Sequence, residues 1–128
     1  MRVLIDTQVI IWLATGAESR LSAAAKRCFH EADELFLSVV TFWEISIKRG
    51  IKKLRWEERE AEAFERGLHE NQIQELAIRR AHCDGIVTLP RHHRDPFDRM
   101  LIAQAQVEQL SILTADPRLK EYDVKVVW

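Results

Sequence analysis

Met1-Arg2-Val3-Leu4-Ile5-Asp6-Thr7-Gln8-Val9-Ile10-Ile11-Trp12 opens the chain with a pattern that recurs along its length. Val3-Leu4-Ile5 is a short, continuous apolar run, the mark of a strand buried on both faces. It stops at Asp6. Val9, Ile10, Trp12 and Leu13 then fall at helical spacing, and Gly16 supplies a stop. A buried strand feeding a helix, with an acid at the joint, is the first half of a βαβ unit.

The alternation continues outward from there. Ser22 predicts an N-cap for a helix through Ala23-Ala24-Ala25 to about His30. Leu35-Phe36-Leu37-Ser38 reads as a second strand. Thr41 predicts the cap of a helix carrying Trp43, Glu44, Ile45 and Ile47 and ending near Gly50. Trp56 to Leu68 is charged and helical. Glu75-Leu76-Ala77-Ile78 is a weaker third strand, and Arg79 to Thr88 leans towards helix. Asp95 suits a cap and Pro96 the first helical position of a helix with Phe97, Leu101, Ala105 and Val107. Ser111-Ile112-Leu113-Thr114 and Val124-Lys125-Val126-Val127 are the last two strands. The order βαβαβαβαβ predicts an α/β fold with a mainly parallel sheet covered by helices on both faces.

The chain has 128 residues, enough for one domain over 1–128 with its own core. A hydrophobic share of 47% with 30% charged residues speaks against disorder. The net charge of -1 gives no global pull towards nucleic acid, so any such binding rests on a local basic patch or on cations. Cys28 and Cys83 lie far apart with no zinc spacing and read as reduced thiols. Asp6 arrives too early for a signal peptide, and no apolar run approaches the length of a membrane span. The expectation is a cytoplasmic protein that does not engage a membrane.

Ligand sites in open α/β sheets form beyond the carboxyl ends of strands, where strand order reverses. Asp6 follows the first strand and Asp116 the fourth. Glu44 is placed in the first turn of the helix after the second strand, and Asp98 in the first turn of the helix before the fourth. Four acids can converge there. Clustered carboxylates repel unless protons or cations intervene, and hard divalent ions such as Mg²⁺ or Mn²⁺ suit oxygen ligands. Each acid also has a purely structural reading: Asp6 and Asp116 as caps, Glu44 as a helix-dipole residue, Asp98 as the far end of a capping box begun by Asp95. Their shared placement at carboxyl ends favours chemistry; Asp95 is assigned to capping. Thr7 and Thr114 are candidates to orient carboxylates or waters.

At these residues the chain resembles a known family. Val3-Leu4-Ile5-Asp6-Thr7-Gln8-Val9-Ile10-Ile11-Trp12, Phe42-Trp43-Glu44-Ile45-Ser46-Ile47-Lys48, His92 to Ala105 around Asp95-Pro96-Phe97-Asp98-Arg99, and Leu113-Thr114-Ala115-Asp116 resemble VapC-like PIN domains, in family order. The resemblance implies a parallel sheet of order 3-2-1-4-5 between helices. It implies an Mg²⁺ or Mn²⁺ site at Asp6, Glu44, Asp98 and Asp116. It further implies an endoribonuclease leaving 5′-phosphate and 3′-hydroxyl ends, a homodimer, and a cognate antitoxin. Gln8 departs from the histidine, asparagine or serine of many relatives.

Lys48, Arg49, Lys52, Lys53 and Arg55 form a basic run after Glu44, and Arg91, Arg94 and Arg99 flank Asp98. Lys48, Arg94 and Arg99 are the candidates for RNA phosphate contact, against a solvated face as the plain reading. His92 and His93 could bind metal or relay protons, but neighbours on an extended segment point apart, so they read as loop structure. Trp43 is expected in the core and Trp12 at an interface. Two rival functions use the same fold features. A phosphoacceptor switch domain would also use Mg²⁺, but the second strand ends in Ser38, and a dehalogenase-like phosphatase would want an aspartate where Gln8 stands. A non-enzymatic binding module would not need all four acids.

Overall fold

The computed structural model describes residues 1–128. Five strands form one sheet: β1 (Arg2–Ile5), β2 (Glu34–Ser38), β3 (Gln74–Leu76), β4 (Ser111–Leu113) and β5 (Val126–Val127). Their order is β3-β2-β1-β4-β5. Every neighbouring pair is parallel. The expected 3-2-1-4-5 sheet is therefore present. Helices α1 (Thr7–Ala14), α2 (Ala23–Glu31), α3 (Val39–Gly50), α4 (Glu58–Glu70), α5 (Arg80–Val87) and α6 (Pro96–Glu108) supply the connections.

Side chains alternate across a strand, so a continuous apolar run feeds both layers. Val3 and Ile5 face one core with Val9, Leu37 and Phe64; Leu4 faces the other with Leu101, Ile112 and Leu119. All three apolar residues of β1 are fully buried, as befits the central strand.

Several boundaries depart from expectation: the fourth and fifth strands shorten to Ser111–Leu113 and Val126–Val127, and the charged helix starts at Glu58 rather than Trp56. The helix after β2 begins at Val39, capped by Ser38 rather than Thr41: the Ser38 hydroxyl accepts the Val40 N–H at 3.1 Å. That hydroxyl also donates to Gln104 Oε1 at 2.5 Å, and Gln104 Nε2 donates to the Ala77 carbonyl at 3.3 Å. A fully buried amide on α6 thus fixes where α3 starts and where the chain leaves β3. Thr41 instead shares a buried hydrogen bond with Thr7, Oγ1 to Oγ1 at 2.9 Å. The third strand closes at Leu76, two residues before the expected end.

Gln104→Leu keeps the volume but strands the fully buried Ser38 hydroxyl, while water can reach the carbonyl of exposed Ala77. Unfolding in denaturant should show a loss of about 1–3 kcal/mol, the penalty of a buried polar group left unpaired. An unchanged midpoint would mean that water reaches the hydroxyl too.

Candidate functional site

Strand register builds the first part of the site. Ile5 lies opposite Leu113, so the residues that leave the two strands, Asp6 and Thr114, emerge side by side. The Asp6 N–H donates to the Leu113 carbonyl at 3.0 Å. Thr114 Oγ1 accepts the Asp116 N–H at 3.0 Å and donates to Asp6 Oδ2 at 2.8 Å. One hydroxyl therefore orients the first acid and anchors the turn that carries the last. The chain winds one way from β1 to β3 and the other way through β4 and β5, so this is the point of strand-order reversal.

Helices bring the remaining acids. The buried arc of α3 consists of Val40, Thr41, Glu44 and Ile45. A carboxylate in the middle of a buried arc is anomalous for a structural helix face. Glu44 sits in the second turn of α3 rather than the first, because the helix starts two residues before Thr41. Its partner is Lys48 one turn on, at 2.7 Å. Asp98 occupies the first turn of α6, as expected. Asp6, Glu44, Asp98 and Asp116 line one cavity of about 310 Å³ together with Thr7, Gln8 and Lys48.

The structural readings of the acids fare differently. The Asp6 side chain makes no capping hydrogen bond although it stands at the N-cap of α1. Asp98 makes no return bond to Asp95; Asp95 caps α6 alone, accepting from the N–H groups of Phe97 and Asp98 at 2.9 and 3.1 Å. Asp116 does cap, accepting the Arg118 N–H at 2.9 Å at the start of the short Pro117–Glu121 turn.

Electrostatics separates the acids into two kinds. Burial pushes Asp6 up to about 7, opposed by the Thr114 hydrogen bond and reinforced by the charge of Asp98. Burial also pushes Asp98 up to about 7, with Asp95, Asp116 and Glu44 adding to the rise and Arg118 opposing it. Asp116 is held below the usual range by hydrogen bonds from the Arg118 guanidinium, the shortest 2.6 Å. The same guanidinium approaches Asp98 Oδ2 at 3.8 Å. Two reluctant carboxylates, Asp6 buried and Asp98 half-buried, thus face a pocket lined by Lys48, with Arg118 beside Asp98 and Asp116.

Some side chains lie elsewhere than expected, and others carry no signal in the sequence. Lys48 borders the cavity, tied to Glu44. Arg94 is exposed on the loop before α6. Arg99 is turned inward, donating to the Pro90 carbonyl at 2.7 Å and the Leu89 carbonyl at 3.2 Å, and so holds the loop closed. Trp43 is not core: it is 58% exposed and packs edge-on against Phe97 at 5.2 Å between ring centres. It lies on the side of α3 away from the buried arc. Trp12 is half-buried and packs on Trp128. His93 is buried in its loop, and its Nε2 lies 3.3 Å from Asp98 Oδ2. His93, read from the sequence as loop structure, reaches Asp98 from that loop, and nothing local marks Arg118, which the turn after Asp116 brings to the site.

The donor set suits a hard divalent cation: carboxylate oxygens with no competing thiol. The four acids do not converge into an all-protein cage of three or more ligands. Mg²⁺ characteristically keeps several waters and takes one or two carboxylates, so an open arrangement of this kind fits it.

Known proteins match nearly the whole chain. Ribonuclease VapC22 of Mycobacterium tuberculosis (strain ATCC 25618 / H37Rv) is 27% identical over 128 residues, covering 94% of this chain and 91% of that protein. The crystal structure of VapBC2 from Rickettsia felis bound to a DNA fragment from their promoter matches with a TM-score of 0.77 at 10% identity, covering 98% of this chain and 97% of that one. A toxin–antitoxin complex from Klebsiella pneumoniae matches with a TM-score of 0.65 at 19% identity, covering 98% and 96%. At such identities the structural likeness is one of fold. The PIN domain family model matches residues 3–125, nearly the entire chain, and with that match the chain belongs to the PIN domain family.

Proposed function

We propose that this chain is a metal-dependent endoribonuclease that hydrolyses RNA phosphodiesters, and that it is the toxin of a VapBC-type toxin–antitoxin pair. The observation that carries the chemistry is the convergence of Asp6, Glu44, Asp98 and Asp116, from four separate elements, on one cavity at the strand-order reversal. These four would hold Mg²⁺ or Mn²⁺, which when bound lowers the pKa of a coordinated water and offsets charge on a phosphodiester. Thr114 orients Asp6 by donating to Oδ2. Lys48 and Arg118, each paired with an acid of the rim, offer cations to the RNA backbone as it arrives. Arg94 is a further exposed cation on the loop before α6.

The toxin role draws on the relatives. VapC22 is named a ribonuclease, and the matching solved structures include VapBC and toxin–antitoxin complexes. The same likeness supports a cognate antitoxin as partner, and the family resemblance a homodimer. No helix is long and apolar enough to cross a membrane, and the proposed site of action is the cytoplasm.

The test is cleavage of a structured RNA pool by protein freed of any antitoxin, with Mg²⁺, with Mn²⁺ and with chelator. Cutting that requires the metal is expected. Equal cutting in chelator would overturn the metal's role. No cutting at all would turn the reading to a binding module that keeps the fold.

A further inference from the structure

Tyr122 and His93 are both buried, 4% and 9% exposed, and neither lines the acidic cavity. The phenol oxygen of Tyr122 has three partners. It accepts the His93 backbone N–H at 3.2 Å and an Arg99 Nη1–H at 3.4 Å. A phenol has one proton to give and limited room to accept. With two donors already pointing at the oxygen, its own O–H is directed at the third partner, His93 Nδ1, at 2.7 Å. Nδ1 is then an acceptor, and the imidazole proton resides on Nε2. That nitrogen lies 3.3 Å from Asp98 Oδ2. His93 and, at 3.8 Å, the Arg118 guanidinium both approach Asp98 through Oδ2, so Oδ1 carries no side-chain partner while the residue lines the cavity.

We propose that Tyr122 locks His93 in its Nε2–H tautomer, and that His93 in turn is a positioning residue that holds Asp98 by one oxygen and presents the other to the cavity. The chain runs from the turn after β4, through a buried phenol and imidazole, to an acid of the site. Partners of this kind set ligand orientation, and their loss typically weakens metal affinity 10–100-fold. The consequence for metal binding rests on the function proposed above. The tautomer does not.

Two measurements test it, neither of them activity. The first is a long-range ¹H–¹⁵N correlation spectrum of the metal-free, ¹⁵N-labelled full chain at roughly pH 8, above the ordinary histidine range. His93, assigned by the signal lost in His93→Gln, is expected to show a protonated Nε2 and a bare Nδ1. His82 provides an internal standard, because its Nδ1 accepts the Arg79 N–H at 2.9 Å and its Nε2 faces Glu108. Tyr122→Phe should turn the His93 pattern into a tautomer mixture. A proton on Nδ1 in the parent, or an unchanged pattern in Tyr122→Phe, overturns the lock.

The second is Mn²⁺ titration followed by electron paramagnetic resonance. Relative to the parent, His93→Asn should bind 10–100-fold more weakly, because its shorter amide matches the Nδ1 position. His93→Gln carries a donor near the Nε2 position and should recover most of the affinity. Equal affinity in all three, or equal weakening in both variants with unfolding midpoints like the parent's, overturns the positioning role. A parent that binds no Mn²⁺ overturns the metal reading and with it this role, while the spectrum still decides the lock.

Discussion

Asp6→Asn should abolish metal-dependent RNA cleavage and at the same time make the metal-free protein more stable above neutral pH. The two effects have one cause. Asp6 is 7% exposed, and burial holds its proton up to about 7. At higher pH the folded chain carries a buried carboxylate whose only side-chain partner is the Thr114 hydroxyl. Asparagine keeps the size and keeps an oxygen for that hydroxyl, but has no charge to bury. Thermal unfolding in chelator at roughly pH 8 should therefore show a gain of about 1–3 kcal/mol, the scale on which buried polar and charged groups act in proteins. Cleavage should fall by more than roughly 100-fold, since even outer partners of metal-bound groups are worth 10–100-fold. Added Mg²⁺ should raise the unfolding midpoint of the parent and leave that of the variant nearly still. Near-parent cleavage would remove Asp6 from the site. A less stable variant would mean that the hydrogen bond from Thr114 outweighs the burial of charge, and that Asp6 is structural.

Much of this arrangement is legible in the amino-acid sequence, and the reason is physical. Val3-Leu4-Ile5 and Ser111-Ile112-Leu113 are short, mainly apolar runs between turn signals, which read as central strands of a covered sheet and are strands. An acid just past each then lies at a sheet rim by geometry alone. What periodicity does not supply is the neighbourhood of β1 and β4. That comes from the family resemblance, and the parallel pairing of the two strands bears it out.

The rest is not legible because it depends on contacts between distant residues. Val39 and Val40 are β-branched and read as a continuing strand. They begin a helix because Ser38 caps it and Gln104, 66 residues away, holds Ser38. That displacement moves Glu44 from the first turn to the second, and Trp43 falls off the buried arc of Val40, Thr41, Glu44 and Ile45. His93 reads as loop structure, and the loop is there. Its inward turn towards Asp98 depends on Tyr122, 29 residues on, for which no local pattern speaks. The one signal available in principle is Glu44 itself: with Val40, Thr41 and Ile45 as neighbours on the wheel, it falls in the middle of an otherwise buried arc.

Stability and metal binding should respond to pH in opposite directions. Asp6 and Asp98 both titrate near 7 in the folded chain, against 3.8 for a free aspartate. Between about pH 4 and 7 the folded chain thus keeps protons that the unfolded chain has released, so these groups favour folding fully below about pH 4 and lose that contribution as pH rises through 7. Asp33, Glu34, Glu108 and Asp116 are held below their ordinary values, so their contribution has the opposite sign and is gained at the acid end of this window, as the unfolded carboxylates lose their protons. In chelator, the unfolding midpoint should fall as pH rises from about 5 to 8, by roughly 3–5 °C for each kcal/mol lost in a domain of this size. A divalent cation competes with the same two protons, so its stabilising increment should grow over that range. Cleavage should climb with it, by about 10-fold per pH unit below 7 if one proton must leave and up to about 100-fold if both must, because the two acids titrate as a coupled pair. A chelator midpoint flat from about pH 5 to 8 would deny that burial stresses these carboxylates. A magnesium increment independent of pH would deny that they are where the ion binds.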